Sequence, residues 1–266
     1  MKYGYPLKFG PNLLSEVEFA VKNFYFIEFT LELYEETLGF LPSLSKNEVA
    51  EIKKLTKNYK LVSHFDWDIN PNEHLIEIGE SIKILSDIGV TDITMHPYKF
   101  SEILEENLEK NVGLITKING FCKQNNISLR IENDANGFFS HIENFSKLLS
   151  NFPELGITLD IGHANKTSEN ELDLFLKNFA GKIKHVHLHK YLPGKTDHLF
   201  FEDKKEFEDI ISKIRGSGYD GTVTLETHFV LRNGEKVYLN HREALEKRRE
   251  VFLEQLKILN IVKNNF

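Results

Sequence analysis

The stretch "KIKHVHLHK" (182–190) places His185, His187 and His189 at alternate positions, and alternate positions of a strand share one face. Imidazoles on a shared face hydrogen-bond, bind metal or move protons. Similar groups fall late in other β-rich runs. "TVTLET" sets Thr224 and Glu226 opposite Val223 and Leu225, "ITLDI" sets Thr158 and Asp160 opposite Ile157 and Leu159, and "SLRIEN" sets Arg130 and Glu132 opposite Leu129 and Ile131. His64 comes late in "KLVSHF", His96 closes "DITMH" and Glu28 nearly closes "FYFIEF". If these side chains meet, the carboxylates repel and raise one another's pKa unless a positive charge sits among them. A divalent cation meets that need, and mixed imidazole and carboxylate ligands suit zinc, manganese or iron.

The elements that must position them are short β-branched or aromatic runs alternating with longer segments of helical period. Candidate strands cover 3–9, 24–29, 60–65, 92–96, 128–133, 156–161, 182–189 and 222–227. Amphipathic segments such as 72–89, 106–124 and 204–218 lie between them, several ending on Gly or Asn as helix C-termini do. Eight βα units in 266 residues predict an α/β fold, a (β/α)8 TIM barrel, as a single domain over 1–266. A doubly wound sheet is the structural alternative, but "LKFGPNLLSEVE" at the first βα junction lacks its Gly-rich phosphate loop. In a barrel, active-site groups gather at the C-terminal ends of the strands.

Composition narrows the partners. A net charge of −7 disfavours a surface built mainly to hold phosphate backbones. The basic cluster "REALEKRRE" (242–250) alternates sign at helical spacing and reads as a solvated helix face. No signal-like segment or run of ~20 apolar residues is present, so a soluble, cytoplasmic protein without membrane contact is expected. The single Cys122 reads as a small core residue of a helix.

The pieces "HFDWDIN", "MHP", "IEN", "LDIGHAN", "HVHLHK" and "LETH" resemble the xylose-isomerase-like barrel superfamily of sugar isomerases, epimerases and endonuclease IV relatives, from about residue 60 to 228. The resemblance implies a metal held by Glu132, Asp160, His187 and Glu226 from the fifth to eighth strands. His163, three residues beyond Asp160, would contact substrate or a further metal. The endonuclease IV group adds histidines that fall here on His64, His96 and His198, giving one to three ions of zinc or manganese. The loop departs from that group's pattern, because Asp197 directly precedes His198 and "LFFED" replaces a Gly-rich stretch.

Two enzyme functions follow. A sugar or sugar phosphate isomerase or epimerase needs a base and an acid beside a carbonyl, and the resemblance implies Glu132 and Glu226 for those roles, with His163 holding a substrate oxygen. Glu28 favours that reading, since "FIEFTLE" looks like a strand end of the family's sugar enzymes. The alternative is a metal-dependent phosphodiesterase of the abasic-site endonuclease kind, acting on DNA, which the additional histidines favour. Trp67 could then stack on a base, or pack at the rim, while Asp66 and Asp68 would oppose phosphates. A ligand-binding barrel without catalysis is disfavoured by the buried charges it would have to keep. Within the opening stretch, His187 is the expected ligand, His185 a deeper lumen hydrogen-bonding group, and His189, nearer the mouth, a substrate contact or an exposed residue.

Overall fold

The computed structural model describes residues 1–10, 12–33, 44–193, 196–232, 235–238 and 245–261, the side chains of 196–197, 229–232, 235–238 and 245 excepted. Eight parallel strands close a barrel: β1 (Lys2–Lys8), β2 (Phe26–Leu33), β3 (Lys60–Trp67), β4 (Val90–Met95), β5 (Ser128–Glu132), β6 (Gly156–Asp160), β7 (Ile183–Leu188) and β10 (Thr222–Leu225). Neighbours follow chain order, and β1 pairs with both β2 and β10. All eight expected strands are present. Two run further than expected, β2 to Leu33 and β3 to Trp67, where they stay paired residue by residue from Phe26 opposite Lys60 to Leu33 opposite Trp67.

Among the described residues nine α-helices pack around the barrel, of which four matter below: α1 (Leu13–Asn23), α3 (Leu75–Ile88), α6 (Ile161–Thr167) and α9 (Leu245–Ile258). Local chemistry sets their ends. α3 stops at Gly89, whose φ of 100° closes the helix in the left-handed region open to glycine. α6 begins on Asp160, whose carboxylate accepts the His163 N–H at 2.6 Å. The core is the apolar alternate face of every strand against the helices, and Cys122 lies within it, fully buried, its thiol pushed up to about 12 by burial.

The basic cluster near 242–250 is not a solvated face where the structure describes it. Arg249 Nε donates to Glu16 Oε1 at 2.7 Å, and Arg248 lies 3.5 Å from the same carboxylate while its other nitrogen donates to the Pro6 carbonyl. Glu16 on α1 is buried and also accepts from the Tyr5 hydroxyl at 2.7 Å, so it draws the two guanidinium groups inward and fastens α9 to the start of the barrel.

A second sheet, of order β12-β11-β9-β8, is built from β8 (Lys190–Leu192), β9 (Thr196–Leu199), β11 (Phe229–Arg232) and β12 (Glu235–Tyr238). These strands belong to the segments that follow β7 and β10, at the C-terminal end of the barrel, and β9 brings in His198.

Candidate metal centre

Period-two alternation places Glu132, Asp160, His187 and Glu226 on the lumen side at the ends of β5, β6 and β7 and just past β10. Parallel register sets Asp160 opposite His187 and His187 opposite Thr224. One ligand atom from each of the four lies within 4.8 Å of the others. His64, His96 and Glu132 form a second set on the same criterion, His64, His187 and Glu226 a third, and His163, His189 and His198 a fourth. Every residue expected to hold metal is therefore brought to one end of the lumen. Asp197 lies outside the described side chains.

His187 is the centre of charge. Its Nδ1 lies 2.9 Å from Glu132 Oε1 and 3.1 Å from Glu226 Oε2, and its Nε2 lies 3.1 Å from Glu28 Oε1. Burial opposes its protonation, but Glu132, Glu28 and Glu226 outweigh burial and hold it well above the ordinary imidazole value. The carboxylates answer in kind. Burial would raise Glu132 and Glu226, yet His187 foremost among the neighbouring imidazoles holds both below the usual carboxylate range. His187 is thus set among carboxylates that would otherwise face one another unrelieved.

The donor set fits a cation. His64 Nε2, His96 Nδ1, Glu132 Oε2, Asp160 Oδ2 and His189 Nε2 are buried atoms without a well-formed hydrogen bond, and so many unsatisfied polar atoms at one spot call for a bound group. Nearest approaches such as 3.4 Å from His64 Nε2 to Glu132 Oε2 and 3.6 Å from His96 Nε2 to the same oxygen leave an ion room to replace a contact. Imidazoles outnumber what an all-oxygen magnesium or calcium site would carry, so the mixture suits zinc or manganese. His163 is prepared for the role: its Nδ1 lies 3.0 Å from the Asn133 carbonyl, an acceptor only, so the proton sits on Nδ1 and Nε2 is bare.

Above the cluster opens a cavity of about 450 Å³. His64, His96, His163, His198 and Glu226 form its floor, and Trp67 lies on its wall, stacked on Phe65 at a centroid distance of 5.9 Å. The Trp67 indole N–H is buried without a partner.

Three positions differ from expectation. Glu28 is not at a strand end, because β2 continues five residues beyond it to Leu33; it lies buried against His187 and outside the cavity, and Glu32, two strand repeats further along the same face, reaches the cavity instead. His189 is fully buried, with Nε2 3.0 Å from Asp160 Oδ1, and neither exposed nor lining the cavity. Glu132 is sealed below the cavity floor, although Glu226 reaches it.

Other cavity residues had been given no role. His228, two beyond Glu226 in "LETH", stacks on His198 at 4.5 Å and 6°, and burial foremost, with His198, holds it well below the ordinary imidazole value. Its period-two spacing from Glu226 was the available signal. Lys8, Glu32, Tyr98, Lys99 and Asp134 also line the cavity; Asp134 and Lys99 lie in segments without a regular period, which gave no signal.

A closed parallel barrel with a histidine and carboxylate cluster at the C-terminal mouth defines the class. The chain belongs to the xylose isomerase-like TIM barrel family, whose match spans residues 20–248. An uncharacterized protein of Methanocaldococcus jannaschii, MJ1311, is 27% identical over 248 residues, covering 82% of this chain and 78% of that protein. The D-psicose 3-epimerase of Clostridium cellulolyticum H10, solved with D-tagatose, superposes with a TM-score of 0.67 at 14% identity, over 97% of this chain and 99% of that one. Endonuclease IV of Thermus thermophilus superposes with a TM-score of 0.62 at 18% identity, again over 97% and 99%. At such identities the likeness is one of fold. Among the described residues no helix is long and apolar enough to cross a membrane.

Proposed function

We propose that the chain is a zinc- or manganese-dependent hydrolase of phosphodiesters, with the cluster at the barrel mouth holding more than one ion. The observation that carries this reading is that Glu132 belongs to two donor sets at once, His64 with His96 on one side and Asp160, His187 and Glu226 on the other. Ions held there would stabilise charge on phosphoryl and leaving-group oxygens and acidify the attacking water.

The chain's own residues bind and orient. Glu28 accepts from His187 Nε2 and so turns Nδ1 toward Glu132 and Glu226. The Asn133 carbonyl fixes His163 with Nε2 bare, and the Asn133 side chain grips the Asp160 backbone at both ends, accepting its N–H at 2.8 Å and donating to its carbonyl at 3.0 Å. Trp67, on the cavity lining, offers an apolar face to a substrate ring. Lys8 and Lys99 line the cavity, their ammonium groups paired with Glu32 and, at 2.7 Å, with Glu102, so a phosphate would have to draw them from those carboxylates. DNA is the polymeric candidate, supported by the shared fold with endonuclease IV.

A second reading, a sugar isomerase or epimerase, is favoured by the carboxylates Glu32, Asp66 and Asp134 on the cavity walls, which accept from sugar hydroxyls and oppose a phosphate backbone. It would use Glu226 as the proton-transferring carboxylate and His163 to hold a substrate oxygen. The sealed position of Glu132 weakens its pairing with Glu226 as acid and base.

The test is to load the purified protein with zinc or manganese and assay it on bis-p-nitrophenyl phosphate, on a duplex containing an abasic site and on a ketose panel, with chelated protein as control. Metal-dependent phosphodiester cleavage is expected. Epimerisation of a ketose with no cleavage would move the assignment to the second reading.

A further inference from the structure

We propose that the N-terminal end of the barrel holds a second binding site, for a small organic molecule carrying a phosphate group, in which Arg130 and Lys184 hold the phosphate across Gly156. A cavity of about 540 Å³ opens there, at the far end of the lumen from the histidine cluster, with opening residues of β3 to β7 along its wall. Among the described residues no imidazole or thiol lines it, which fits binding rather than turnover.

Arg130 carries an unmet donor. The residue is 3% exposed, and its Nη2 pairs with Asp92, but Nη1 is buried without a partner. A guanidinium N–H left unmatched away from water calls for an acceptor, and a phosphate oxygen suits its charge and fork geometry.

Two backbone features clear space beside it. Parallel pairing sets Arg130 opposite Gly156, which shares the lumen face of β6 with Thr158 and Asp160. A Cβ on Gly156 would sit 2.7 Å from Lys184 Cγ, so the missing side chain lets Lys184 lie over β6. Lys184 is itself the extra residue of a bulge, because Ile157 pairs with Ile183 while the next residue, Thr158, pairs with His185. Bulges re-aim side chains at barrel rims, and this one takes Lys184 out of the alternation of β7. Arg130 and Lys184 thus flank a strand position that has no side chain.

The other cations of the cavity are already engaged. Lys60 is tied to Asp92 at 3.1 Å and Lys123 to Glu154 at 3.5 Å. Lys184 donates to the Gly181 carbonyl at 3.0 Å and meets no carboxylate among the described residues, which leaves two of its three hydrogens. The available donors are therefore Arg130 Nη1 and Lys184 Nζ, while Asp92 anchors the rest of the guanidinium and Lys60 offsets that carboxylate. Leu129 and Leu155 add apolar lining, which favours an organic phosphate over the free ion.

Isothermal titration calorimetry of the full chain with phenyl phosphate, and separately with inorganic phosphate, tests the site. The same titrations in the His64→Ala, His96→Ala double variant tell it apart from phosphate held at the mouth. Saturable binding of phenyl phosphate is expected in both proteins, at least about 10-fold tighter than that of inorganic phosphate. Lys184→Gln changes an exposed side chain and spares the fold; Arg130→Lys keeps a charge facing Asp92 but loses the fork. Each should weaken binding by about 10- to 100-fold in both backgrounds. No saturable binding in the histidine double variant, or an affinity there that Lys184→Gln leaves unchanged, would overturn the proposal. Equal affinity for the two probes would contradict an organic occupant. None of these outcomes depends on the function assigned to the barrel mouth.

Discussion

The two ends of the barrel lumen use the same kinds of residue and treat them oppositely. At the lower end polar side chains are partnered: His185 lies 2.7 Å from Thr222 Oγ1 and 3.1 Å from Thr224 Oγ1, Thr94 and Thr158 hydroxyls meet at 2.7 Å, and Arg130 pairs with Asp92. Of this group only Arg130 Nη1 lacks a partner. One pleat higher, His64, His96, Glu132, Asp160 and His189 each present a buried atom without one. Unpartnered atoms gather at the chemical end, with His187 the exception, since its two ring nitrogens face carboxylates at 2.9 and 3.1 Å. Residue type alone does not separate them, since His185 and His187 are two residues apart on one strand.

If that contrast is sound, substitutions at the upper end should remove metal and activity while sparing the fold, and those at the lower end should do the reverse. The largest effect is expected for Glu226→Gln, which should abolish turnover and weaken metal by more than about 100-fold, beyond what supporting residues usually cost, with an unchanged circular dichroism spectrum. Full activity in that variant would contradict the mechanism. Glu28→Gln, acting through His187, should lower metal affinity by about 10- to 100-fold in a chelator competition. An unchanged affinity would make Glu28 a structural partner of His185 and shift the boundary between the two ends upward.

Thr158→Val should cost about 1–3 kcal/mol in urea denaturation by leaving the Thr94 hydroxyl unpaired, with metal content unaltered. The smallest effect concerns acid. Burial would raise Asp92, but the Arg130 guanidinium, helped by Thr91 and Lys60, holds it below the ordinary value. A carboxylate depressed in the fold contributes stability above its unfolded pKa of ~3.9 that fades as pH falls through the lower folded value. Asp92→Asn should therefore reduce stability at neutral pH and flatten its decline below about pH 4. A decline as steep as in the parent chain would place the acid-sensitive pair elsewhere.

Much of this was readable in the sequence because strand alternation is a local property. Val223 and Leu225 against Thr224 and Glu226 state which face is which, and eight such runs with helices between them leave few folds. Depth along the barrel was less readable. Glu28 looked like a strand end because aromatic density falls after Phe29, whereas pairing with β3 carries the strand on to Leu33 and leaves Glu28 low in the lumen. The position of His189 depended on Gly162 and on a backbone turn at His198, neither of which periodicity records. The tautomer of His163 was hidden for the same reason, since a carbonyl from Asn133 sets it across a gap of 30 residues.

The central claim is that the mouth holds more than one ion because Glu132 serves two donor sets. Elemental analysis of the protein after loading with zinc and removal of free metal tests it most directly. The account predicts two to three ions per chain, falling when His64 and His96 are both replaced by alanine. A single ion per chain, unchanged by that double substitution, would contradict it.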